Sequence, residues 1–276
     1  MNGFLFSSMG TASYLNSGGP RIPVIINADD FGYSSNVNAC IVDGIHRGCV
    51  SSATIMANGQ ASEEALVLAT RLPQASFGVH LNLTEFRPLH PSQVMKSLGV
   101  IDADDLFRGN EFRKLHPSPK LMQACFDELD QQLQAVYSKG VRPSHLDSHH
   151  HIHTIPWLLP VIFSIQRKFK ISKLRTTMNV YSSGPFDQPS RKLLAAKRIW
   201  QIAARSMGFK MTQRFTSLQI FSDDSMRPEF AAAQSIELMC HPGQQGFEIE
   251  TEHLLSRGPE VLPSPYELVN YNQYLS

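Results

Sequence analysis

Four polar clusters in this chain carry residue types suited to metal-assisted hydrolysis. They are Asn27-Ala28-Asp29-Asp30, His80-Leu81-Asn82, the run His145-Leu146-Asp147-Ser148-His149-His150-His151-Ile152-His153, and Cys240-His241-Pro242-Gly243. The third cluster holds five of the 11 histidines. In extended backbone alternate side chains share a face, so His145, Asp147, His149, His151 and His153 are expected on one side of a strand. Five ionisable groups on one strand face are costly to bury without partners, which favours a metal over a plain core. The neighbouring carboxylates Asp29 and Asp30 repel, so holding both near one point calls for a cation or a shared proton. One can then ligate while the other stays free as a base; the plainer reading is a helix cap or turn residue. His80 inside an apolar strand and His241 before Pro-Gly are weak signals singly. Two histidines and one carboxylate leave coordination positions open for water and a substrate carbonyl, and the metal lowers the pKa of bound water toward about 7. A nearby carboxylate can take that proton while a histidine opposite protonates a departing amine.

The elements that must position these groups follow from the apolar pattern. Ile22 to Asn27, Val50 to Met56, Phe77 to Leu83 and Pro143 to His149 are short apolar runs bounded by turn signals, and predict strands. Val37, Ile41 and Ile45 predict a helix capped by Asn36 and stopped by Gly48. Ser62 to Arg71, Pro156 to Phe169 and Ser190 to Ser206 predict further helices. The clearest helix starts at Ser118-Pro119, with Leu121, Cys125, Leu129, Leu133 and Val136 on one stripe and Gly140 at its end. Later strands are predicted at Leu174 to Thr177, Leu218 to Phe221 and Ile236 to Cys240, and Pro88 to His116 reads as a long surface excursion. Strand and helix alternation implies an α/β fold, a single-domain TIM-like (β/α) barrel, closed or nearly so. The polar clusters then converge, because barrel strands present catalytic residues at their C-terminal ends.

Composition agrees with that architecture. The chain has 276 residues, 42% hydrophobic and 18% charged, enough for one large core and too apolar for bulk disorder. A net charge of +1 supplies no overall basic field, so nucleic acid is not an expected partner. Cys40, Cys49, Cys125 and Cys240 show no CxxC spacing, which fits a reducing, cytoplasmic setting. Residues 1–20 read as a flexible leader and 21–276 as the domain; no window is long and apolar enough to span a bilayer.

The strings Asn27-Ala28-Asp29-Asp30-Phe31-Gly32, Gly78-Val79-His80-Leu81-Asn82-Leu83-Thr84, His145 to His153 and Met239-Cys240-His241-Pro242-Gly243 resemble, in order, the motifs of the YdjC-like (ChbG-type) carbohydrate deacetylases. The resemblance implies a deformed (β/α) barrel that removes the N-acetyl group from an N-acetylated amino sugar, with one divalent metal ion. It implies Asp30, His80 and His149 as metal ligands, Asp29 as general base and His241 as general acid. His153 and Arg175 are implied as groups that orient the substrate or the catalytic residues. Imidazole ligands suit zinc, whereas the family is described as magnesium-dependent. A homodimer is a further implication. One departure stands out: where the family carries glycine two residues before a proline, Thr84-Glu85-Phe86-Arg87-Pro88 has Phe86, a candidate to stack on a sugar ring or to pack inward. Residues Val180 to Phe215 match no motif and are a candidate substrate-specific cap. The rival readings are a deformylase or other metal-dependent hydrolase on a sugar nucleotide or lipid-linked sugar, and a catalytically silent sugar-binding barrel.

Overall fold

The structure is a computed structural model that describes residues 21–182, 188–223, 225 and 227–274. The expected leader, residues 1–20, lies outside them, as does the stretch 183–187 of the expected cap. In chain order the elements are β1 (Ile22–Phe31), α1 (Ser35–His46), β2 (Ser52–Ile55), α2 (Ser62–Ala69), β3 (Ser76–Leu81), α3 (Gln93–Ser97), α4 (Pro119–Ser138), β4 (Leu146–Ser148) and α5 (Leu159–Phe169). They continue with α6 (Arg191–Ser206), β5 (Arg214–Ser217), α7 (Leu218–Asp223), α8 (Pro228–Ala231), β6 (Ile236–Cys240), α9 (Glu248–Arg257) and β7 (Tyr266–Leu268).

The strands pair in parallel in the order β4-β3-β2-β1-β6-β5, with β7 added to β1. Parallel strands need covering on both faces, and β1 is accordingly buried from Val24 through Phe31. The sheet curls into a barrel whose last gap is closed by residues 172–180, which form no regular strand. Leu146 N–H donates to Lys173 O and Arg175 N–H to Leu146 O on one side, and Val180 N–H donates to Phe215 O on the other. That seam is the deformation of the expected (β/α) barrel.

Register explains the convergence of the polar clusters. Ala28 pairs with Cys240, Ala28 with Ala53, Ile55 with Val79, and His80 with Asp147. Asp29, Asp30, His80, His149 and His241 therefore all emerge at the C-terminal rim of the strands.

Several local expectations need correction. The cap of α1 is Ser34, whose hydroxyl accepts from Val37 N–H; Asn36 instead donates to Gly243 O at 2.7 Å. Leu218 to Phe221 lie in α7, and the neighbouring strand is the more polar Arg214–Ser217. Leu174 to Thr177 belong to the seam. The excursion after Pro88 is more than surface chain: it contains α3, and Met95, Ile101 and Phe112 are buried. The stripe of α4 is buried throughout, as its spacing requires.

Candidate active site

Consecutive residues in a strand face opposite sides, so two neighbouring carboxylates can serve one site only if the strand breaks its pleat. β1 does so with an irregularity in its pairing with β2 between Ala28 and Phe31, where Asp30 takes φ = 65°. A non-glycine residue there is strained, and the break in the pleat brings both Asp29 and Asp30 within reach of His80.

Asp30 Oδ1 lies 3.2 Å from His80 Nε2 and 2.9 Å from His149 Nδ1. These three buried groups offer one ligand atom each within 4.8 Å of one another. Each histidine is oriented by a carboxylate at its other nitrogen. His80 Nδ1 is 2.8 Å from Asp147 Oδ1, whose second oxygen accepts from Thr54; His149 Nε2 is 2.7 Å from Glu85 Oε2, whose other oxygen accepts from Tyr33 at 2.6 Å. Outer carboxylates of this kind fix the ring orientation of a metal-ligating histidine and raise its basicity. Burial pushes the Asp30 carboxyl up, but the bonds to His149 and His80 outweigh it and hold it well below the ordinary range. Burial pushes His80 down, while Asp147, Asp30 and Asp29 pull it up more, to about 10.

Asp29 sits against this set, its carboxylate within 4.8 Å of His80 and Asp147. Arg175 Nη1 and Nη2 grip its two oxygens at 2.7 Å each, and Asn27 Nδ2 adds a bond at 2.9 Å. Burial alone would raise the Asp29 carboxyl; the guanidinium overrides it and keeps it ionised. Arg175 is wholly buried and also holds Asp147 at 2.9 Å and Glu237 at 2.7 Å, and Tyr271 donates to Glu237 at 2.6 Å. Arg175 therefore holds three carboxylates from behind, with no exposed surface of its own.

His241 follows the last residue of β6. Its backbone N–H donates to Glu250 Oε1 at 2.6 Å, its ring packs 4.4 Å from Phe247, and its Nδ1 lies 3.8 Å from the same Glu250 oxygen, beyond hydrogen-bond distance. Gly243, at φ = 80°, lets this turn press onto α1, since a Cβ there would lie 2.9 Å from Asn36 O.

The remaining histidines correct the single-face expectation. Strand geometry ends at Ser148, and His149–Thr154 form a tight turn with His150 and His151 at positive φ. His145 is core: it stacks 3.6 Å from Tyr271 and lies so close to Gly78 that a Cβ would collide with its ring at 2.5 Å. His153 is bonded to Ser148 Oγ at 2.5 Å, and its ring packs 6.0 Å from that of Trp200. Phe86 sits at φ = 64°, which accounts for a glycine preference there, and its half-buried ring meets Tyr33 edge-on at 4.9 Å. The residues that sequence reasoning passed over are Glu85, Glu237 and Tyr271. Glu85 stands beside a recognised motif; the other two carry no local signal.

A divalent cation fits this donor set. Asp29, Asp30, Asp147 and Glu237 are all buried, and the Arg175 guanidinium is the one permanent cation among the described side chains that meet them. The upward pull on His80 registers the same surplus of negative charge.

A family model described as YdjC-like protein matches residues 23–262. Relatives named carbohydrate deacetylase include one from Vibrio parahaemolyticus, 30% identical over 251 residues, with 88% of each chain covered. Another, from Halalkalibacterium halodurans, is 36% identical over 223 residues, covering 79% of this chain and 84% of that protein. Among solved structures, a protein of Enterococcus faecalis V583 named for cellobiose-phosphate cleavage shares the fold, with TM-score 0.71 and 24% identity over 92% of this chain and 99% of that one.

Proposed function

Because the chain belongs to the YdjC-like family, we propose that it is a carbohydrate deacetylase that hydrolyses the N-acetyl group of an amino sugar, with residues 21–276 as its domain. The observation that carries this reading is the buried Asp30, His80 and His149 set with an arginine-clamped Asp29 beside it and His241, backed by Glu250, at the same rim. One divalent ion held by Asp30, His80 and His149 supplies Lewis acidity toward the amide carbonyl and toward water.

The chain's own groups do the rest. Asp29, fixed at both oxygens, takes a proton from the attacking water with no reorientation. His241 delivers a proton to the sugar nitrogen as the C–N bond breaks, so that water and amide become acetate and free amine. Asp147 and Glu85 keep the histidine ligands in register. A sugar ring stacked on the half-exposed Phe86, beside Glu85, belongs to this reading. Retention of a base and an acid on top of a complete ligand set favours catalysis over silent binding.

The test is acetate release from N-acetylated mono-, di- and oligosaccharides, sugar nucleotides and glycolipids by protein reconstituted with Mg or Zn, with Asp29→Asn as control. Release from one class by the parent alone supports the reading and names the substrate. No release from any class, with metal confirmed bound, overturns it.

A further inference from the structure

Helix α6 carries Arg191, Lys192, Lys197, Arg198 and Arg205 and no acidic residue, in a chain whose net charge is only +1. Lys197 turns inward to Asn179 Oδ1 at 2.7 Å, alongside buried Trp200 and Ala204. The opposite face holds Ile199 and Ile202, each 69% exposed, in line with exposed Ala195. Apart from Ile249 these are the most exposed large apolar side chains among the described residues. Spacings of three, four and seven put Ala195, Ile199 and Ile202 on one stripe, with Arg191, Arg198 and Arg205 a heptad apart along its border. No ion pair is formed by these three arginines among the described residues. Unpaired cations beside bare isoleucines are not a merely solvated face, because water rewards only the cations.

We propose that α6 is a docking helix for the anionic surface of a phospholipid bilayer, with Ile199 and Ile202 entering the headgroup boundary and the arginine row meeting lipid phosphates. Helices of this kind lie in the interfacial plane, and their affinity combines buried apolar area with attraction to anionic lipid. A second copy of this chain is a poorer occupant, since packing α6 on α6 brings the arginine borders together. Nucleic acid would leave the isoleucines without a role. On the inner side α6 braces the chain that follows Arg175, since Gln201 donates to Thr176 Oγ1 and the Thr177 hydroxyl donates to Lys197 O, so the bilayer-facing helix and the candidate site share one wall. The docking itself does not depend on the reaction proposed above.

The experiment is co-sedimentation of the full chain with phosphatidylcholine vesicles, with and without phosphatidylglycerol, at low and high salt. Binding is expected to the anionic vesicles alone and to decline as salt screens the arginines. The pair Ile199→Ser with Ile202→Ser, and the pair Arg198→Glu with Arg205→Glu, should each weaken binding about tenfold or more. These side chains are exposed, so melting temperature should match the parent in both pairs. No binding to anionic vesicles, or binding unchanged in both pairs, overturns the proposal. So does a concentration-dependent dimer that the isoleucine pair dissolves, which would assign the stripe to a second copy.

Discussion

Asp29 is held so completely that its replacement has two separable consequences. Asparagine keeps the shape but turns an N–H toward the Arg175 fork, so Asp29→Asn should lose turnover by roughly 10²- to 10⁴-fold and about 1–3 kcal/mol of stability. Metal content, measured on the same preparation, should equal that of the parent; activity at the parental level would strip Asp29 of its role as base. Glu85 bears on metal affinity instead. In Glu85→Ala the His149 ring loses the acceptor at Nε2, and affinity for the ion should fall about 10- to 100-fold. Competition with a chromogenic chelator reads this, and Glu85→Gln, which retains an acceptor oxygen, should recover most of the loss. Equal affinity in the alanine variant would detach Glu85 from the site.

At the scale of elements, the excursion after Pro88 is tied down by one buried acid on α4. Glu128 accepts from Leu89 N–H at 3.0 Å, His90 N–H at 2.7 Å and Gln132 at 2.7 Å, and Gln132 in turn bonds Asn82. Burial pushes the Glu128 carboxyl from an ordinary 4.5 up to about 7. Between those values the folded protein keeps a proton that the unfolded chain has released. The contribution of this group to stability is thus full below about pH 4.5 and lost as pH rises through 7. Glu128→Gln should flatten that part of the melting-temperature profile; an unchanged slope would show that other groups set it. The turn that carries His241 is similarly exposed to a single change. Gly243→Ala forces a Cβ against α1 at a positive φ, and should cost about 1–3 kcal/mol and lower kcat by displacing His241. Melting and steady-state kinetics on one preparation would reveal a turn that tolerates the methyl group.

Sequence reading succeeded where an element follows one pattern over enough residues. The stripe of α4 and the apolar runs of β1, β3 and β6 fall into this class. It failed where a four-residue run with three apolar side chains had to choose between strand and helix, as at Leu218 to Phe221, and where the alternation of the histidine run stopped at Ser148 because His150 and His151 turn left-handed. The metal-ligand candidates were visible because each sits in a dense local motif. The clamp on Asp29 was visible only as a candidate, because Arg175 lies 146 residues away and only folding shows what it grips. Glu237 and Tyr271 complete the clamp from strand and terminus with no motif of their own.

For the molecule as a whole, the surplus of buried carboxylate predicts that an ion bound among Asp30, His80 and His149 would stabilise the fold. An ion at 100 times its dissociation constant adds about 2.7 kcal/mol to the folded state. For a chain of this size that corresponds to a rise in melting temperature of about 5 °C or more. Chelator-treated protein should therefore melt lower, and titrating the metal back should restore the parental value in the parent but not in His149→Ala. Equal melting with and without the ion would argue against a buried site. The same experiment separates His149 from His151, whose ring faces Phe215 and should be dispensable.

The seam from residue 172 to 180 holds a different lesson. Arg175 lies within it, so the peptide that shuts the barrel is also the one that grips Asp29, Asp147 and Glu237. Closure and arming are one event. Opening that seam would take one guanidinium away from Asp29, Asp147 and Glu237 together, leaving three buried carboxylates without their shared cation.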